Sequence, residues 1–381
     1  MRILQVCNRY YPSFGGLEGH VKNVSEKITE LGHEVMVYTT DSSGKLPESE
    51  KINGVCVRRF KCFSPGEAYY FSLDLYKAVK KSRSDIVHGH DLHGFPLLAA
   101  ALAKGTRKLV ATLHTGGSSS AVRDLLRVPY DGVFMHNILK RAEKIVCVSE
   151  YELRTYRRIL NLPEDRFVYI PNGTDFTSFS TRTGQKDSRT ILSVGRLERS
   201  KGFHFLIQSF AIVGKDKRYD DTHLTIVGKG PYEHKLHELT KELGIAERVS
   251  ILHDLPREEL ERLYLQSDIF ALFSKYESAA IVVLDALALQ KPIITSRGGV
   301  LADYVDEGLS VGVSWPPSPN EAAEKMKKML DNPSNYRPRK ANVLSWNDVA
   351  KRLISLYESI LTQQQDRFKT NMPSNCISSR L

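Results

Sequence analysis

Two doubly wound α/β domains facing across a cleft are predicted by three observations. Short β-branched or apolar runs alternate with amphipathic helical patterns along both halves of the chain. A stretch rich in Ser, Thr and Gly, with no apolar period, separates the two arrays at 174–189. The length of 381 residues suits two domains better than one, since a domain runs to about 100–200 residues.

In the first array the runs predict strands at 2–7, 34–40, 54–60, 85–89, 108–113, 143–148 and 167–170. Helical spacing predicts helices at 17–31, 70–82, 95–104 and 150–160, with a less regular helical pattern over 118–142. The second array has predicted strands at 190–195, 223–228, 248–252, 268–273, 292–295 and 309–313, and helices at 201–214, 231–244, 256–266, 279–289 and 318–331. A last helix starts at Ser345, whose hydroxyl can cap it while Asp348 supplies the third-position carboxylate of a capping box. Trp346, Val349, Leu353, Tyr357 and Ile360 follow at three- and four-residue steps, giving one apolar stripe that must pack on something. The predicted division is a first domain over 1–173, a linker over 174–189, a second domain over 190–344, a helix over 345–366 packing back toward the first domain, and a loose tail over 367–381.

Hydrophobic residues are 41% and charged residues 26%, the balance of a soluble globular protein. No run approaches the ~18 consecutive apolar residues of a membrane span, and the chain opens on strand-like Arg2-Ile-Leu-Gln-Val-Cys7, so a cytoplasmic protein is expected. The five cysteines are scattered without metal-type pairing, and Cys7 and Cys147 read as buried free thiols. The net charge of +10 is uneven: residues 51–158 hold nineteen Lys/Arg against nine Asp/Glu, and the rest hold thirty-five of each. Such a basic region suits phosphorylated substrates, nucleic acid or anionic lipid, or is simply a solvated surface.

Ligands of doubly wound sheets bind beyond the carboxyl ends of the strands. Gly15 and Gly16 follow the first strand, where backbone can approach a phosphate at a helix N-terminus, or where a tight turn merely needs them. In Val194-Gly-Arg196-Leu-Glu-Arg-Ser-Lys201-Gly, two cations fall at a strand end and at the start of the next helix, able to stabilise a leaving diphosphate or to lie solvated. Gly228-Lys-Gly230 lacks a dinucleotide fingerprint because Glu233 stands at the third glycine position, so it reads as a close turn. Glu277 and Asp285 run from a strand end into a helix predicted to begin near Ala279, and could bind sugar and ribose hydroxyls, or serve as a cap and a buried ion pair. His88-Gly-His90-Asp91-Leu-His93 has zinc-ligand character, although its order is not that of a metallo-β-lactamase and cleft-lining or hydrogen-bonding roles fit a strand end better. His114 ends the next strand and points at the same crevice. Neither a G-x-S-x-G elbow nor a P-loop nor an H-E-x-x-H motif is present.

Taken in order, these residues resemble the retaining GT-B glycosyltransferases of family 4, with the glycosyl transferases group 1 domain in the second half. The elements that carry the resemblance are Gly15-Gly16-Leu-Glu, Gly32-His33-Glu34-Val35, Asp85-Ile-Val-His88, Thr112-Leu-His114, Val148-Ser-Glu150 and Ile170-Pro-Asn-Gly173. In the second half they are Val194-Gly-Arg196 with Lys201-Gly202, Ile226-Val-Gly228-Lys-Gly230-Pro231, the Glu277 segment, Ser296-Arg-Gly298-Gly299 and Asp306-Glu-Gly308. The resemblance implies a GT-B fold, an acceptor-side first domain, and transfer of a hexose-type sugar from a UDP- or GDP-linked donor with retention and no metal or other cofactor. It implies Glu277, His114, Arg196 and Lys201 as catalytic residues. The implied donor-binding set is Gly15, Gly16, Arg196, Lys201, Gly228, Glu277, Ser278, Ala279, Ala280, Ile281 and Asp285. The family's E-x7-E pair is Glu277 and Asp285 here, its Gly-Phe-Gly is Ser278-Ala279-Ala280, and its later acid is Ala302, with Asp303 one place along.

The implied partners are a nucleotide-sugar donor and a glycan or lipid-linked acceptor, not nucleic acid. The basic first half adds an expected contact with an anionic membrane surface at the inner face of the cell membrane. A GT-B epimerase or phosphorylase, and a sugar-nucleotide-binding homologue without catalysis, are the competing readings.

Overall fold

The computed structural model describes residues 1–13, 15–65, 69–114, 135–176, 188–339 and 341–370. Most of the irregular helical segment 118–142, most of the linker 174–189 and the end of the tail 367–381 lie outside the described residues.

Among the described residues the chain builds an eight-stranded sheet ordered β3-β4-β2-β1-β5-β6-β7-β8 and a six-stranded sheet ordered β12-β11-β10-β13-β14-β15. The first comprises β1 (Arg2–Val6), β2 (Glu34–Asp41), β3 (Ser49–Ile52), β4 (Val55–Lys61), β5 (Ile86–His90), β6 (Lys108–Thr112), β7 (Lys144–Cys147) and β8 (Phe167–Tyr169). All its pairs are parallel except the β3–β4 hairpin at one edge. The second, parallel throughout, comprises β10 (Arg189–Val194), β11 (Thr222–Val227), β12 (Val249–Leu252), β13 (Ile269–Leu272), β14 (Ile293–Ser296) and β15 (Val311–Val313). Parallel strands need crossover helices, which cover both faces and make strands such as Ile86–His90 buried along their whole length.

The chain crosses between the sheets more than once. Gly173–Thr174 forms a short strand, β9, paired in parallel with β16 (Leu344–Ser345), and Phe176 is buried in the second core. The start of the expected linker is therefore ordered structure. Gly173 lies so close to the Ser345–Trp346 backbone that a Cβ there would sit 2.7 Å from the Trp346 nitrogen.

The helix Trp346–Thr370 opens on the capping box, with Ser345 Oγ accepting from the Asp348 N–H at 3.1 Å and the Asp348 carboxylate accepting from Ser345. It continues past 366 to Thr370, so the tail is shorter than the sequence predicts; nothing in 363–370 punctuates a helix. Its stripe of Trp346, Val349, Leu353, Tyr357 and Ile360 lies in one core with Ile3, Val21, Val24, Ile28 and Ile86. Each such fully buried Leu, Ile or Val contributes about 1.5–3 kcal/mol, more than an exposed helix's own propensity supplies. Two further elements escaped prediction. Ser49–Ile52 is a mostly polar edge strand, and Val300–Asp306 is a seven-residue helix behind a glycine pair.

Candidate active site

The strand order reverses beside β1 in the first sheet and beside β10 in the second, so the segments leaving these strands and their neighbours form the crevices. From β1 the chain reaches Gly15 and the helix Gly16–Glu30. A Cβ at Gly15 would collide with the Glu18 carboxylate, whereas one at Gly16 would meet nothing within 4 Å. Glu18 is buried and ion-paired to Arg9 at 2.8 Å. The Gly15 requirement is thus met by packing, while Gly16 leaves the helix N-terminus open.

From β5 and β6 come His90 and His114, adjacent because these strands are parallel neighbours. His114 Nε2 lies 3.2 Å from His90 Nδ1, and the His20 ring stands edge-on to His114 at 4.5 Å between centroids. His20 and His90 are buried, and His114 is partly exposed. Burial lowers His20 to about 4 against its Asn172 bond, and pushes His90 and His114 well below the ordinary value, helped by neighbouring rings. All three are neutral at pH 7. His88 lies behind them, lowered to about 3 by burial, with its nitrogens on Tyr357 Oη at 2.6 Å and Thr112 Oγ1 at 2.7 Å. The sequence-local zinc reading of 88–93 therefore fails geometrically: both His88 nitrogens are engaged, and Asp91 binds Asn8 and the His93 N–H.

In the second sheet, three glycines build the corresponding crevice by letting backbones touch. A Cβ at Gly202, whose φ is +70°, would lie 1.9 Å from the Phe273 carbonyl oxygen, and the Lys275 N–H donates to Ser200 at 2.7 Å. The loop after β10 is thereby strapped to the loop after β13. A Cβ at Gly298 or Gly299 would lie 2.1 Å from the carbonyl oxygens of Lys275 and Glu277, and the Val300 N–H donates to Glu277 at 2.9 Å.

These contacts bring Lys201 Nζ to Glu277 Oε1 at 2.5 Å, with Ser274 Oγ donating to the same oxygen at 2.6 Å. Lys201 sits in a 3₁₀ turn, Arg199–Lys201, and the helix starts only at Phe203, because left-handed Gly202 interrupts it. Arg196 is exposed at the end of β10 and paired with Glu198. A Cβ at Gly228 would lie 1.9 Å from the Gly195 carbonyl oxygen, so the close approach of the segments leaving β10 and β11 requires glycine there, as the close-turn reading expects.

The helix after Glu277 begins at Ile281 rather than near Ala279, since Ala280 is left-handed at φ +46° and breaks the helical turn. The Val283 N–H already donates to the Ala280 carbonyl at 2.8 Å, so the leading amides of this helix are those of Ile281 and Val282; Ala279 and Ala280 are buried, with Ser278 partly so. Ala280 occupies the second glycine position of the family's Gly-Phe-Gly, and its backbone is one that glycine adopts more easily. Asp285, one turn on, accepts from Thr174 Oγ1 of β9 at 2.6 Å. Burial pushes its carboxyl up to about 7; the Thr174 bond and Arg257 pull it down, and Asp175 pushes it up. Asp303, beside the missing family acid, instead pairs with Arg154 of the other sheet's layer at 2.7 and 2.8 Å.

The structure thus joins Lys201 to Glu277 and His114 to His90. The sequence reading did not single out His20, Ser274 or Asn172. Asn172 stands within the Ile170–Gly173 motif, and His20 lies two residues beyond Gly15-Gly16-Leu-Glu, on the predicted helix 17–31.

Residues 14–178 match the model of Glycosyltransferase Family 4, and residues 176–345 match that of Glycosyl transferases group 1. A glycosyltransferase of Methanocaldococcus jannaschii is 26% identical, over 94% of this chain and 98% of its own. The D-inositol 3-phosphate glycosyltransferase of Corynebacterium urealyticum is 26% identical over 92% of each chain. Among solved structures, HepE of Anabaena in complex with UDP-glucose superposes with a TM-score of 0.68 at 19% identity, covering 97% of this chain and 100% of HepE.

Proposed function

Since the chain belongs to the family 4 glycosyltransferases, with a glycosyl transferases group 1 domain of GT-B fold as its second half, we propose that it transfers a hexose-type sugar from a UDP- or GDP-linked donor, with retention and without a catalytic metal, to a phosphorylated, lipid-linked or glycan acceptor. The observation that carries the donor half is Lys201 and Ser274 holding one oxygen of Glu277 beside the helix that starts at Ile281. An ammonium, a carboxylate and free helix amides in one crevice suit a ligand with both diphosphate and hydroxyls.

On donor entry Lys201 and Arg196 turn to the diphosphate, freeing Glu277 to accept from sugar hydroxyls, while Asp285 takes the ribose. As the anomeric C–O bond breaks, charge grows on the diphosphate and the preorganised cations and amides stabilise it. The leaving β-phosphate oxygen takes the proton of the attacking acceptor hydroxyl on the same face, so the configuration is kept. His114, neutral and at the cleft rim, contacts the reacting sugar, and Gly16 leaves room for the phosphates. Closure of the two sheets on each other excludes water that would hydrolyse the donor. The UDP-glucose of HepE and the inositol phosphate of the Corynebacterium enzyme's name agree in class with this donor and with an anionic acceptor.

Membrane contact is part of the proposal. No helix among the described residues is long and apolar enough to cross a membrane. Phe63, Tyr69, Phe71 and Leu73 are nevertheless exposed, with Phe63 71% accessible and bridged to Phe71 through the backbone, and the same stretch of chain carries exposed Lys61, Lys77, Lys80 and Lys81, Lys77 being paired with Asp74. Apolar side chains rimmed by cations suit an anionic lipid surface. Vesicles of anionic lipid should retain the protein at low salt and release it at high salt; failure to bind at any salt overturns this part.

A thermal-shift panel of UDP, GDP, ADP and their sugars tests the donor, because a ligand that binds only the folded state raises the melting point. One nucleotide series should shift the wild type and not Lys201→Ala. If none shifts the wild type, the donor reading is wrong.

A further inference from the structure

The ring nitrogens of His20, His90 and His114 converge, one from each residue lying within 4.8 Å of the other two. The hydrogen bonds behind them fix which nitrogens these are. His20 Nδ1 faces the Asn172 side-chain oxygen at 2.7 Å, and His90 Nε2 faces the Gln5 side-chain oxygen at 2.7 Å. Oxygens only accept, so both nitrogens carry their N–H there, and the opposite nitrogens, His20 Nε2 and His90 Nδ1, present lone pairs. His20 is 1% exposed, and its Nε2 has no hydrogen-bond partner. A buried acceptor left unmet in this way is destabilising, and a ligand that takes its lone pair removes the penalty. His114 Nε2 is 3.2 Å from His90 Nδ1, close to the roughly 3.3 Å between two nitrogens of a tetrahedral ion with 2.0–2.1 Å bonds.

We infer that His20, His90 and His114 form a binding site for a zinc-class divalent cation that takes no part in the bond-making steps, His114 being shared with the sugar contact proposed above. Three imidazoles suit zinc, copper or nickel rather than magnesium or calcium. Each buried ring is oriented by a side-chain oxygen on its far nitrogen, the arrangement that metal-bound histidines require. His114, at the partly exposed side, provides the way in and leaves a fourth position for water. The site stands on these contacts alone, whatever the donor.

The test uses the full chain without a polyhistidine tag, stripped with chelator and titrated with Co²⁺ at pH 7.5. An intense tetrahedral visible band should saturate at one equivalent and be displaced by Zn²⁺. His20→Ala and His114→Ala should each abolish it, and Asn172→Ala should weaken binding about 10–100-fold. His234→Ala, at an exposed helix position, should leave it intact. His114 is at the rim, so its variant keeps the test valid if His20→Ala does not fold, as judged by near-ultraviolet circular dichroism. The inference is overturned if no such band forms, or if it survives in a folded His20 or His114 variant.

Discussion

Raising the pH from 6 to 8 should tighten sugar-nucleotide binding about tenfold, through Asp285. The carboxyl ordinarily titrates near 3.8 and is pushed up to about 7 by burial, with Thr174 and Arg257 opposing and Asp175 reinforcing. The ionised carboxylate offers two acceptor oxygens in charge-assisted bonds to the ribose hydroxyls, whereas the protonated acid turns one oxygen into a donor and loses that charge. At pH 6 roughly a tenth of Asp285 is ionised and at pH 8 roughly nine-tenths, so apparent affinity changes by about 1.4 kcal/mol. The sugar nucleotide's own phosphates are diesters that do not titrate in this window, which makes it a better probe than the free nucleoside diphosphate. The cluster histidines do not titrate there either, since His20 and His88 fall to about 4 and 3 and the others lie well below the ordinary value. Calorimetric titration at half-unit pH steps gives the profile. Asp285→Asn should bind roughly 10–100-fold more weakly at pH 8, having lost charge-assisted hydrogen bonds, and should show no slope. A wild-type profile flat within twofold, or a slope that persists in Asp285→Asn, refutes the assignment.

The same carboxyl bears on stability with the opposite sign. Its raised value favours the protonated folded state, so its stabilising contribution is complete below about pH 4 and is lost as pH rises to about 7, at a cost of up to roughly 4 kcal/mol. Ligand-free melting of the wild type should therefore fall relative to Asp285→Asn between pH 5 and 8, and parallel curves would contradict the burial argument. Lys201→Ala should lower kcat by about 10²–10³ in a donor-turnover assay, the scale for one preorganised transition-state contact; an unchanged kcat would remove Lys201 from the mechanism. Gly299→Ala places a methyl 2.1 Å from the Glu277 carbonyl oxygen at φ +65°, and should destabilise by more than about 2 kcal/mol in denaturant unfolding while also weakening donor binding. An unaffected midpoint would mean that the two loops are not strapped together.

Strand ends were legible in the sequence because a buried parallel strand such as Ile269–Leu272 is an apolar run bounded by polar residues, and the capping box at Ser345 is a local signal. The site contacts were not legible to the same degree. His20, His90 and His114 are separated by long stretches of sequence and meet only because the sheet runs β1, β5, β6. Lys201 reaches Glu277 through backbone contacts at Gly202, Gly298 and Gly299, whose motifs mark the positions but not what they touch. The helix start near Ala279 was misplaced because alanine normally favours helix, and here the connection forces Ala280 left-handed.

The helix Trp346–Thr370 has a consequence for how the protein is made. Its apolar stripe completes the core around Val21, Val24 and Ile28, and Tyr357 caps His88 behind the histidine cluster. Ribosomal synthesis is vectorial, so the first sheet leaves the ribosome with that face bare and keeps it so until the final helix emerges. The second sheet, which has its own core, can finish folding sooner. The first half to be translated is thus the last to mature, and a nascent chain stalled before residue 346 would display an apolar surface for chaperones to hold.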